Sequence, residues 1–159
     1  MKQKYIFPAL RRIQYWIIVS ISLTALLVVG CTNQNVDQEF RITFEQLFSN
    51  PSQYNGKDIS IEGFVFLGFE IMVISEELKY SGYAEGHLIP SGRMLWIEGG
   101  VPIEIYNELS IQNMMGPTER YSKVLVKGIF KYGDRYGHLG GYEFQITPGE
   151  MQLLDWSPI

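Results

Sequence analysis

"DISIEGFVF" (Asp58 to Phe66) and "KVLVKGIFK" (Lys123 to Lys131) decide how the rest of the chain is read. In the first, Ile59 and Ile61 alternate with Ser60 and Glu62; in the second, Val124 and Val126 lead to Gly128, Ile129 and Phe130. Alternation of β-branched with polar residues is the pattern of a half-buried strand, because successive side chains point to opposite faces. Gly63 and Gly128 each fall on the parity of the β-branched residues. A glycine at such a position marks a bulge or a sharp coil, where the missing side chain lets the strand turn a corner. Two long strands, each bent at a glycine, suit a small closed or nearly closed barrel better than a flat sheet.

Further strands are predicted around them. "FEIMVIS" (Phe69 to Ser75), "RMLWIEG" (Arg93 to Gly99) and "YEFQI" (Tyr142 to Ile146) are rich in Ile, Val, Met and aromatic residues. The segment between the first two is long for a hairpin, so it reads as a loop over an opening of the barrel. Ahead of the strands, Thr43 and Gln46 have capping-box spacing, and Phe44, Leu47 and Phe48 share one helical face. Asn50-Pro51 stops that helix and Asn55-Gly56 makes a turn. Ile105 and Leu109 fit a helix beginning at Pro102, although Ile103 and Ile105 also fit strand alternation. Thr147 and Glu150 flank Pro148 in another capping-box spacing, which leaves residues 147–156 open between helix and strand.

Five strands with a helical insertion between the third and fourth resemble an oligonucleotide/oligosaccharide-binding (OB) barrel. "NPSQYNGKDISIEGFV", with "GHLGGYEFQI" after "VLVKGIF", is also similar to segments of uncharacterised extracytoplasmic OB-type lipoproteins. The resemblance covers about Phe44 to Leu154, and its motifs are structural. The expected fold class is therefore mainly β: a small five-stranded OB-like β-barrel with short helices, preceded by a cleaved helical signal peptide.

The N-terminus supplies the expected address. Lys2, Lys4, Arg11 and Arg12 precede an apolar run from Trp16 to Gly30, the order of a secretory signal and too short for a stable membrane span. "VVGC" at its end resembles the lipobox of bacterial lipoproteins. That resemblance implies cleavage between Gly30 and Cys31, with diacylglycerol on the Cys31 sulfur and an acyl chain on the new amino terminus. The covalent lipid on Cys31 is the only cofactor expected. The domain assignment is then a signal peptide over 1–30, a lipidated tether over 31–39 and the OB-like domain over 40–159. Thr32 after the cysteine favours the outer membrane if the bacterium has two membranes; the domain lies outside the cytoplasm, in the cell envelope.

Removing the four basic residues of the leader from 13 Lys+Arg leaves 9, against 17 Asp+Glu, a net charge of −8. That balance repels polyanions and argues against nucleic acid as a partner. With one cysteine, itself assigned to lipid, the mature domain has no disulfide and no thiol chemistry. His87 and His138 are the only histidines and carry no metal-binding spacing. No nucleophile elbow or phosphate loop is present. Hence no catalytic residue, no metal site and no enzyme are expected. The remaining enzymatic reading is a carboxylate-dependent hydrolase acting on a glycan, with Glu76, Glu77 and Glu98 at the barrel mouth.

Binding has more support. Trp96, Phe64, Phe130 and Phe144 read as core, while Tyr80, Tyr83 and Tyr136 either pin loops or offer a binding surface. Lys123, Lys127, Lys131 and Arg135 read as the solvated face of one strand and its turn. His138, in the glycine-rich "YGHLGGY", reads as a turn organiser that also contributes to that surface. The expected function is a membrane-anchored envelope lipoprotein whose domain binds another envelope component, protein or glycan.

Overall fold

A computed structural model describes residues 41–158. The expected leader, the Gly30–Cys31 junction, the lipid site at Cys31, the tether and Phe40 lie outside the described residues. Strands dominate, and all seven belong to one sheet: β1 (Arg41–Ile42), β2 (Asp58–Gly68), β3 (Ile71–Tyr80), β4 (Leu88–Ile97), β5 (Ser110–Gln112), β6 (Glu119–Tyr136) and β7 (Tyr142–Leu153). Among the described residues, three short helices accompany the strands: α1 (Phe44–Ser49), α2 (Pro51–Tyr54) and α3 (Ile103–Glu108). Five of the strands are long, as the sequence predicts; β1 and β5 are short additions at the two ends of the sheet order.

The pairing is cyclic among the long strands. β2 pairs antiparallel with β3 through Phe64↔Ser75 and with β6 through Ile61↔Val126. β3 pairs with β4, β4 runs parallel to β7 at Trp96↔Gln145, and β7 returns antiparallel to β6. The core sits between these strands and α1, where Ile61, Val65, Ile74, Leu95, Ile97, Val124, Val126, Phe130 and Ile146 are fully buried. Thr43 caps α1 as the spacing predicts: the Gln46 amide donates to Thr43 Oγ1 at 3.1 Å and the Thr43 amide to Gln46 Oε1 at 2.9 Å. The cap turns Phe44 and Leu47 into the core.

Gly63 and Gly128 both face inward at points of close approach. A Cβ on Gly63 would stand 2.8 Å from the Ser75 carbonyl oxygen and 2.9 Å from Phe44 Cε2. One on Gly128 would collide with the Thr147 carbonyl. The extra residue expected at Gly128 lies on the partner strand: Lys127 faces Glu150 and Gly128 faces Pro148, which leaves Gly149 unpaired in β7.

Two local expectations are corrected, and one question left open is decided. The segment after Ser75 is mostly strand, because β3 and β4 pair out to Tyr80↔Leu88 across a bulge at Gly92–Arg93; only Ser81–His87 is loop. Residues 147–153 continue β7, since the ladder to β6 outweighs the local helix-start signal. Pro102 caps α3 instead of opening it. His138 opens a 3-10 turn (His138–Gly140) ahead of β7.

Candidate functional site

The predicted surface residues fall on two separate turns. Tyr80 and Tyr83 sit at the β3–β4 hairpin tip, 52% and 79% exposed. Tyr136 and His138 belong to the β6–β7 turn. Burial and the nearby Asp134 raise the Tyr136 pKa above the ordinary tyrosine value.

A groove of about 480 Å³ is lined by Leu67, Glu70, Met72, Trp96, Tyr106 and Arg120, among others, and the β6–β7 turn touches two of these, Trp96 through Gly137 and Glu70 through His138. Strands β2, β3, β4 and β6, helix α3 and the connections between them supply its walls. Trp96 comes from β4 and is half-buried at the groove, so it does not simply fill the core as expected. Its indole N–H donates to Glu98 Oε2 at 3.2 Å, and its ring lies 5.4 Å from that of Tyr142. Gly137 supports the same ring from below. A Cβ there would stand 2.5 Å from Trp96 Cδ2, and its φ of +71° is one that side chains rarely adopt. Opposite, Arg120 of β6 lays its guanidinium over the Tyr106 ring at 4.4 Å and donates from Nη1 to the Tyr106 carbonyl at 3.2 Å.

The rim is built from strained loop tips. Glu70, in the β2–β3 turn, and Leu139, in the β6–β7 turn, are the non-glycine residues with positive φ among the described residues, at 57° and 53°. That conformation costs an L-residue about 1–2 kcal/mol. His138 Nε2 lies 3.3 Å from Glu70 Oε2 and ties the two tips together. Phe69 and Leu139, beside this contact, are 72% and 89% exposed.

A second polar cluster holds the other hairpin. His87 is buried, with Nδ1 2.8 Å from Ser81 Oγ and Nε2 2.8 Å from Glu119 Oε2. Gln112 donates to the same Glu119 oxygen at 2.7 Å and to the Leu88 carbonyl at 2.6 Å. The Ser81 hydroxyl also accepts the Tyr83 amide at 3.1 Å. Every member of this cluster serves backbone or a neighbour, so it works as a clasp for the hairpin over β5 and β6. Sequence reading missed it, because its partners are far apart in the chain.

The carboxylates read as a possible hydrolytic pair are separately engaged. Glu76 receives two bonds of 2.9 Å from the Arg93 guanidinium, which hold its carboxyl below the ordinary glutamate range. Glu98 serves Trp96, and Glu77 faces solvent. Lys123 of the predicted basic face pairs with Glu62 at 2.6 Å. Among the described residues, no group of three or more His, Cys, Asp or Glu could hold a metal ion, and no helix is long and apolar enough to cross a membrane.

Comparison with protein-family models, with curated proteins and with solved structures finds no match.

Proposed function

We propose that this protein is a lipid-anchored envelope lipoprotein whose OB-like barrel binds another envelope component, protein or glycan, in the Trp96–Tyr106–Arg120 groove, without catalysing a reaction. The barrel reading draws on the cyclic pairing β2–β3–β4–β7–β6–β2, with one parallel contact and a helix between β4 and β6. The anchor reading draws on Lys2 to Arg12, the apolar run and Cys31. The observation that carries the function is the groove itself. Two aromatic walls, one cation and a strained rim converge where the β2–β3 and β6–β7 turns meet, the part of an OB barrel that takes ligands.

Two experiments test this reading. Cys31→Ala should release the protein from the membrane fraction; retention with an uncleaved leader would replace the lipid anchor by a signal anchor. A photo-crosslinker at Thr118, on the groove, should capture an envelope component in cells, while one at Tyr83 should not. Equal capture from both positions would remove the groove from the account.

A further inference from the structure

We infer that the groove recognises a saccharide bearing a carboxylate, with Arg120 taking the carboxylate and Trp96 carrying the sugar ring. This rests on the groove being the ligand site.

The charge pattern selects the anion. Arg41 and Arg93 each pair with a carboxylate, Glu62 and Glu76. Arg120 has no carboxylate partner among the described residues, although the mature chain carries a surplus of acidic groups. Its neighbour Glu119 points to the other face of β6, into the His87–Gln112 clasp. Glu70 shares the groove but is tied to His138. The guanidinium is held flat on Tyr106 by ring and carbonyl, while its Nε is buried without a hydrogen-bond partner. A guanidinium held in one place, whose Nη groups keep donors beyond the one given to the Tyr106 carbonyl, fits a carboxylate better than a mobile ammonium would.

The remaining wall selects the sugar. Trp96 is clamped by Tyr142, Gly137 and Glu98, which leaves a rigid aromatic platform with its N–H already satisfied. Glu70 on the rim accepts from hydroxyls and repels polyanions, so one carboxylate among several hydroxyls matches the groove where a phosphate backbone does not.

The test is isothermal calorimetry on the full chain in neutral detergent, with oligogalacturonate and its methyl ester as probes. The two share rings and hydroxyls and differ in charge. The acid should bind about tenfold tighter or more, the ratio a charge-assisted bond supplies. Arg120→Gln should bring the acid down to the ester, and Trp96→Ala should weaken both; far-UV circular dichroism checks that each variant is folded. Tyr106→Leu keeps the cation while removing its platform, and should lose part of the preference. Equal binding of acid and ester, or a preference that survives Arg120→Gln, would overturn the inference while leaving the groove as a ligand site. No binding of either probe, or binding indifferent to Trp96→Ala, would overturn the inference and count against a glycan ligand in the groove.

Discussion

Gly63→Ala is the sharpest test of how the sheet is packed. The added methyl would stand 2.8 Å from Ile74 Cγ2, 2.8 Å from the Ser75 carbonyl oxygen and 2.9 Å from Phe44 Cε2. The Ile and Phe contacts can yield by side-chain movement. The carbonyl cannot, because Ser75 is locked between Phe64 of β2 and Met94 of β4. Overpacking of this kind costs about 1–3 kcal/mol. Loss of unfolded-state freedom on Gly→Ala returns about 0.4–1 kcal/mol, so the net is roughly 1–2 kcal/mol of destabilisation. For a domain of this size that lowers Tm by roughly 4–8 °C. Gly149→Ala is the control, since a Cβ there meets nothing closer than the Lys127 carbonyl at 3.8 Å and its backbone is not left-handed. It should be neutral or raise stability slightly. Thermal unfolding followed by far-UV circular dichroism on the full chain in detergent measures both. Equal Tm values for the two variants would refute the inward, close-packed placement of Gly63.

Three further outcomes follow from the same contacts. Gly137→Ala forces a side chain into an essentially glycine-only conformation (φ 71°, ψ −162°) and sets a methyl against Trp96, and should cost about 2–4 kcal/mol of stability while weakening ligand capture at the groove; unchanged capture would separate Gly137 from the site. His87→Ala leaves buried partners unpaired at a cost of about 1–3 kcal/mol. It should also expose Ser81–Gly86 to limited proteolysis, and an unchanged cleavage pattern would contradict the clasp. The Arg93 bonds depress the folded-state pKa of Glu76, so their contribution is fully present above the ordinary glutamate value and is lost as pH falls through the lowered one. The urea midpoint should therefore drop on acidification, and Glu76→Gln should flatten part of that slope; an identical pH profile in the variant would show that the pair contributes nothing.

Where the sequence was legible, burial or a cap had left a local signature. Ile59, Ile61, Val124 and Val126 announce their strands because one face of each is core, and Thr43–Gln46 announces α1 because both bonds of the box lie within four residues. The outer half of the β3–β4 hairpin was illegible. Pro90 and Gly92 read as loop, but pairing to Leu78 and a bulge beside Glu76 absorb them. Pro148 left its segment open between helix and strand; it sits opposite Gly128 at a bulge, where its missing N–H is tolerated. The groove was half-legible. His138 was singled out, but its partner Glu70 and the Arg120–Tyr106 stack depend on strands and turns distant in sequence. Trp96 read as core because a strand aromatic looks the same whether it faces the interior or a cleft.

Amide hydrogen exchange on the full chain, with and without the component captured from Thr118, tests the central claim most directly. The binding account predicts slowed exchange in the β2–β3 turn at Gly68–Met72, around Trp96–Val101 and at Arg120, with Ser81–Gly86 unchanged. Protection centred on the Tyr80–Tyr83 hairpin, with the groove exchanging as before, would contradict it.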